Sequence, residues 1–506
     1  MRIDLIACAV ALLAAPAARG QEAAPATEEG ARAAEKWAEA DRAPAESEGA
    51  RLDQETAETE RSPRGEFVFG SYGRAQVYFD RDGNPGRNVN VVAHGPRLAE
   101  PSYAELDFQY RLRAADGFDA RVLATLALFE PWAHYDGAFG DEGWAVRNLL
   151  VEAGGFVPGL EELRLWAGSR MYRGDDIYLL DFWPLDDLNT IGGGAILERA
   201  GFDVRLHAGV NRLDDDYQLQ RVEVPGAQHG AEEIVLLDRQ RAIFSARLGY
   251  TFSDMVGELD ARLLLWGEGH RLPAGRRVPE ELLDDDGSST YPLDQVAERL
   301  PADGGLAIGA QLGLFDFGPA SHVNLFVRYA RDLAAYGELG VPYGTGDRGT
   351  SHGARELVVA LDACWQNRWV GAMVGAYLRR FVDADVNRYD TDDFAEGALV
   401  ARPVVFLTDH FHQGFEISYQ QHRPFGLDPR SNDQEIAEVW QLTVMEILGL
   451  DRGCYQRPQL RLYYTLSLPN SSARGVWRPE DRRRPDRVEH LFGLGAEWWF
   501  NSSTYR

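Results

Sequence analysis

Strict period-two alternation, repeated along most of the chain, is the feature that most limits what this sequence can fold into. In Tyr103–Tyr110 one face reads Tyr103, Glu105, Asp107, Gln109 and the other Ala104, Leu106, Phe108, Tyr110. Successive strand side chains point to opposite faces, so such a stretch reads as β-strand rather than helix. Residues 70–79 set Tyr72, Arg74, Gln76 and Tyr78 against Ser71, Gly73, Ala75, Val77 and Phe79. Leu163–Met171 sets Leu163, Leu165, Ala167 and Met171 against Arg164, Trp166 and Arg170. Similar stretches recur at Arg121–Phe129, Phe202–Val210, Ala242–Tyr250, Glu258–Trp266, Ala307–Phe315, His322–Tyr329, Glu356–Cys364, Val370–Leu378, Phe415–Gln421, Gln459–Leu466 and Leu491–Phe500. Loops rich in Asp, Gly and Pro separate them, short connections alternating with long ones.

A soluble sandwich alternates too, with its apolar face inward. Here the polar faces carry arginines, carboxylates and tyrosines suited to a wet lumen. The apolar faces are aliphatic and aromatic. At about 10 residues per tilted strand plus connections, the body holds on the order of 18 strands, within the range of outer-membrane barrels. The expectation is an all-β fold, a transmembrane antiparallel β-barrel. Tyr78-Phe79, Phe129, Phe381 and Trp498-Trp499-Phe500 fall at strand ends, where aromatic girdles meet the lipid headgroups.

The remaining composition excludes rival classes. The 506 residues carry 52 basic and 79 acidic side chains, a net charge of −27, which argues against a nucleic-acid partner. Lys36 is the only lysine, so the body has none for a P-loop, a kinase strand or a Schiff base. Residues 1–20 read as a signal peptide, with Arg2, an apolar run from Leu5 to Ala15, and Ala18-Arg19-Gly20 before the cut. Residues 21–64, mostly Ala, Glu, Arg and Pro, read as a flexible acidic arm, and 65–506 as the barrel domain. Beyond the signal no apolar stretch approaches the length of a membrane helix. Of three cysteines, Cys364 and Cys454 survive cleavage; two separate buried thiols are expected.

From Leu165-Trp166-Ala167-Gly168-Ser169-Arg170 to Leu180-Asp181-Phe182 the chain resembles the maltoporin family of sugar porins. Gly70-Ser71-Tyr72-Gly73-Arg74, Tyr103-Ala104-Glu105-Leu106, Arg402-Pro403, Arg457-Pro458-Gln459-Leu460-Arg461 and the closing Phe492-Gly493 to Trp498-Trp499 resemble it in order. The resemblance implies an eighteen-stranded, homotrimeric barrel with an inward-folded constriction loop, in the outer membrane of a Gram-negative bacterium. It implies passive diffusion of oligosaccharides, no enzymatic activity and no cofactor. Carried over by motif, Tyr72, Tyr103 and Trp183 are slide aromatics that stack on sugar rings. Arg74, Arg97, Arg147 and Asp181 are constriction groups trading hydrogen bonds with hydroxyls. The family's inward-loop arginine falls on Gly174, with Arg173 beside it. A further slide aromatic falls near Leu407, beside Phe406, and the chain runs past its last aromatic strand to Arg506.

Two other readings stand beside this one. A general diffusion porin would use the same scaffold without sugar selectivity. A hydrolase would use Ser351 in Gly349-Thr350-Ser351-His352-Gly353, provided a strand precedes it and a helix follows. Asp409-His410-Phe411-His412 places two histidines on one strand face without a third ligand, so no metal is expected. Asp214-Asp215-Asp216 and Asp284-Asp285-Asp286 lack EF-hand spacing and read as solvated loops. Trp132 reads as a subunit-contact or interface residue. Arg482-Arg483-Arg484 reads as a loop that is solvated or meets lipopolysaccharide phosphates.

Overall fold

The computed structural model describes residues 64–503, except 115–116, 130–142, 212–219, 224–232, 237–238, 278–297, 338–339, 347–348, 386–388 and 390. The expected signal peptide, the expected arm apart from Arg64, Trp132 and both aspartate triplets lie outside the described residues.

Twenty-two strands are present among these residues, and eighteen of them form one closed antiparallel sheet. The barrel strands begin with β1 (Arg64–Phe79), β2 (Tyr103–Arg113), β3 (Asp119–Phe129), β4 (Trp144–Gly154), β5 (Leu163–Arg173), β6 (Asp187–Arg199) and β7 (Phe202–Asn211). The sheet continues with β10 (Arg241–Val256), β11 (Leu259–Leu272), β14 (Asp303–Phe315), β15 (His322–Asp332), β16 (Arg355–Gln366) and β17 (Val370–Val382). It ends with β18 (Phe394–Phe406), β19 (Phe411–Pro424), β20 (Ala437–Gly449), β21 (Gln459–Pro469) and β22 (Glu489–Phe500). Two small hairpins, β8 (Gln220–Glu223) with β9 (Glu233–Leu236) and β12 (Gly275–Arg277) with β13 (Glu298–Leu300), stand on long loops. Pairing of β1 with β22, from Ser71↔Phe500 to Phe79↔Phe492, closes the ring and leaves no edge. No described helix is long and apolar enough to cross a membrane; a barrel crosses with strands.

The alternation sorts as expected over most of the wall. Val77, Leu494 and Leu462 are register partners on three adjacent strands, and all three are exposed on the outside. Glu105, Asp107 and Gln109 of β2 are buried on the inside. An apolar exterior around a polar interior is the arrangement a lipid-embedded barrel requires.

Three departures change the interior. First, Val358 and Ala360 of β16, Met373 and Tyr377 of β17, and Ala398 and Val400 of β18 make part of the inner wall apolar. Residues 174–186 fold in against that wall, burying Ile177, Leu179, Leu180, Phe182 and Leu185 in the same cluster. Second, several expected girdle residues turn inward. Phe381 is fully buried among Tyr336, Tyr343 and Phe394, and Trp499 packs inside beside Tyr178. Third, Met171 is buried within reach of Arg147 rather than exposed beside Leu165. Gly168, between them, takes a positive φ of +133° within the unbroken strand.

Candidate lumen site

The inward segment 174–186 is shaped by its own backbone. Tyr178–Leu180 make one 3-10 turn, and Asp181 ends it in the left-handed region at φ 49°. The Ile177 N–H donates to the Phe182 carbonyl at 2.8 Å, closing the tip. Residues 80–102 fold in beside it, and the Arg97 N–H donates to the Leu179 carbonyl at 3.1 Å. Gly375 on β17 leaves the seat open, since a Cβ there would lie 2.8 Å from Ile177 Cγ2. Glycine here answers close approach rather than turn geometry.

Above this seat, Tyr72, Arg74, Tyr103, Arg147 and Asp181 line a single cavity of about 390 Å³, together with Glu105, Phe129 and Arg173. The sequence assigned these positions from three strands and a loop, and the fold brings them together. The Tyr72 and Tyr103 rings are 6.0 Å apart and the Tyr103 and Phe129 rings 5.3 Å. Arg74 lies 5.3 Å from the Tyr103 ring centre, and Arg147 lies 5.9 Å from Tyr103 and 5.3 Å from Phe129. The Tyr103 hydroxyl donates to Glu105.

Arg147 reaches the lumen through a bulge. The β3–β4 register steps from Thr125↔Asn148 to Leu126↔Val146, leaving Arg147 unpaired. An extra residue of this kind re-aims its side chain. Phe129, expected at the lipid interface, is instead part of this cavity. Strand-end position alone does not reveal which side an aromatic takes.

Two expected residues are placed differently. Arg97 is buried at the hub of a charge network, with Glu100 at 2.8 Å, Glu497 at 3.7 Å and Asp181 at 3.8 Å. Its guanidinium also donates to the Tyr72 hydroxyl and lies 4.9 Å from the Tyr178 ring centre. Burial pushes the Glu100 carboxyl above its ordinary range against the pull of Arg97 and Arg74. Trp183 faces a different cavity, with His94, Trp266 and Arg379, and Arg173 lies over its ring. His94, stacked at 4.0 Å on Phe182, is pushed down to about 4 by burial and is neutral at pH 7.

A second polar network was not anticipated. The Tyr178 hydroxyl donates to Glu497 at 2.6 Å, and Arg457 Nε donates to the same carboxylate at 2.8 Å. Arg461 Nη2 donates to the Tyr178 hydroxyl at 2.9 Å. The tip of the inward segment is thereby tied to β21 and β22 by charge-assisted bonds. The signal was present in Arg457 and Arg461, two of the residues that carried the family resemblance.

The rival sites are not assembled. Ser351 is fully buried and donates to Asp303 at 2.7 Å; β16 follows it, not a helix. His412 is buried and contacts the Asp451 carbonyl, whereas His410 is exposed in the preceding turn, so the pair does not share a strand face. Among the described residues no group of three His, Cys, Asp or Glu could hold a metal.

Sequence comparison matches the family described as LamB porin over residues 67–500. A maltoporin of Vibrio cholerae is 24% identical over 455 residues, covering 85% of this chain and 94% of that protein. A maltoporin of Photobacterium profundum is 23% identical over 367 residues, 71% of either chain. Among solved structures, Acinetobacter baumannii OccAB1 aligns over 86% of this chain and 96% of its own at 8% identity and TM-score 0.42. The trimer form of Vibrio cholerae OmpT aligns over 87% and 100% at 12% identity and TM-score 0.35.

Proposed function

The chain belongs to the LamB porin family, and from that premise we propose that this outer-membrane channel passes oligosaccharides by facilitated diffusion, as a homotrimer. The observation that carries the reading is the pairing of the Tyr103 and Phe129 rings with the flanking guanidiniums of Arg74 and Arg147. A sugar has apolar ring faces and polar rims. Aromatic faces offer it a sliding contact, and guanidiniums and carboxylates beside them exchange hydrogen bonds with its hydroxyls. Weak, replaceable contacts suit transport, because a tight site would hold the sugar.

The second reading, general diffusion without sugar selectivity, is favoured by the cover over Trp183 and the near-complete burial of Tyr72. Both reduce the aromatic surface offered to a sugar. Conductance in a planar bilayer, measured with added linear oligosaccharides, separates the two. Concentration-dependent block supports the selective channel; an unblocked current supports general diffusion.

A further inference from the structure

The two body cysteines are 90 positions apart in the chain yet lie in one buried cluster inside the barrel. Cys364 lies on β16, and Cys454 lies in the connection 450–458 between β20 and β21; both are buried free thiols. Register pairs Cys364 with Met373 and Gln366 with Gly371, so these four residues share one face of the β16–β17 pair. That face is the lumen face: Cys364 and Met373 are buried, while Trp365 between them in the alternation is exposed outside.

The connection 450–458 folds onto this patch. The Cys454 N–H donates to Gln366 Oε1 at 3.0 Å, and Arg452 Nη1 donates to the Arg368 carbonyl at 3.0 Å. Cys454 Sγ fills the space above Gly371, where a Cβ would lie 2.4 Å from it. Cys364 and Cys454 belong to one buried cluster, and Gly371, under Cys454, is two residues from Met373, the register partner of Cys364. The same connection carries Tyr455, 5.7 Å from Tyr178 and 5.9 Å from His322 between ring centres, and Arg457, which holds Glu497. Its position therefore sets what stands beneath the inward segment.

We propose that Cys364 and Cys454 are a disulfide-forming pair that, oxidised after export, staples the connection 450–458 to β16 and fixes Tyr455 below the constriction. An exported protein meets an environment in which disulfides form and persist. One cysteine thiolate attacks the disulfide of a periplasmic thiol oxidant, and the second resolves the mixed disulfide. Two S–H bonds are lost and one S–S bond forms. Two electrons and two protons pass to the oxidant, whose disulfide leaves as two thiols.

The test uses full-length protein from the outer membrane, treated with diamide, denatured, and labelled with a maleimide-polyethylene glycol before or after dithiothreitol. Labels are counted above those on the C364S/C454S variant. The expected result is none before reduction and two after it. Bilayer recordings supply the second measurement. Dithiothreitol should alter the parent's open-channel current and leave the C364S/C454S current unchanged. Two labels without reduction, or a parent current indifferent to reductant, would overturn the proposal.

Discussion

The guanidinium of Arg173 lies over the indole of Trp183, 3.8 Å from the ring centre. An arginine so placed is held by the ring's negative face, a contact worth about 0.5–2 kcal/mol depending on desolvation. It also occupies the surface that a sugar would use. Trp183→Ala should therefore change sugar block by less than roughly twofold in the parent. In an Arg173→Ala background the same change should weaken block severalfold. Titration of current block in the four variants reads this directly; equal effects in both backgrounds would remove Arg173 as the mask.

Tyr103 stands between Phe129 and Tyr72 with Arg74 and Arg147 beside it. Tyr103→Ala should weaken sugar block by about 1 kcal/mol, roughly fivefold, the order of an aromatic contact. Salt conductance should stay nearly constant, since the role proposed for the ring is to stack on sugars and not to attract ions. Unchanged block in the variant would place the sugar path elsewhere in the lumen.

The barrel was legible because lipid outside and water inside impose opposite polarity on alternate residues. Alternation fails where both sides of a strand are apolar. β18 is apolar outside and also carries Val400 within, and β20 carries Val439 and Ile447 within but Glu438 and Glu446 on its outward face, so they lack the pattern. β6 is obscured by the run Gly192-Gly193-Gly194, and β4 by the Arg147 bulge. Tyr72, Arg74, Tyr103, Arg147 and Asp181 came through the family resemblance, which preserves order along the chain and not contacts. It could not tell that Trp183 faces another cavity, or that Arg97 spends its donors on Glu100 and Tyr72. The connection 450–458 showed only the Arg457-Pro458 of the resemblance and not its infolding, because hydrogen bonds such as Cys454 to Gln366 join residues far apart in sequence.

The seat of the inward segment depends on Gly375. A leucine there would drive its Cβ to 2.8 Å from Ile177 Cγ2 and its longer branches into Leu179 and Leu180. Overpacking of this kind costs about 1–3 kcal/mol, and a segment seated by side-chain contacts yields more readily than a closed sheet. Gly375→Leu should assemble normally, conduct salt better and bind sugar more weakly, with Gly375→Ala intermediate. A variant that fails to assemble would mean that the inward segment and the wall fold as one unit.

Asp176 lies on the inward segment, outside the strands, and its carboxyl is pushed up to about 7, first by burial and then by the nearby charge of Asp362. Between the ordinary carboxylate range and pH 7 the seated segment holds a proton that a released one gives up. Seating is therefore favoured at low pH and weakens as pH rises from the ordinary carboxylate range to about 7, above which it levels off. The same ionisation adds a negative charge to the lumen. Reversal potentials in a salt gradient should show stronger cation preference at pH 8 than at pH 5.5, and Asp176→Asn should flatten the difference. A parent channel whose selectivity ignores pH over that interval would refute the assignment.

Leu494 and Ala496 lie on the outward face of β22, Leu494 between Val77 and Leu462 and Ala496 between Ala75 and Leu460. Arginine at position 494 should cost about 2–4 kcal/mol near the bilayer midplane and less toward either interface. That loss alone says little, because a charge also harms a packed protein core. Enlarging Ala496 is the sharper probe. Lipid has no fixed shape to clash with, so Ala496→Leu should insert, assemble and melt like the parent. Against a packed surface the added carbons should cost about 1–3 kcal/mol. Heat-modifiable mobility and thermal unfolding of the oligomer distinguish the outcomes: an unshifted transition assigns the position to lipid, and a marked loss assigns it to a subunit interface.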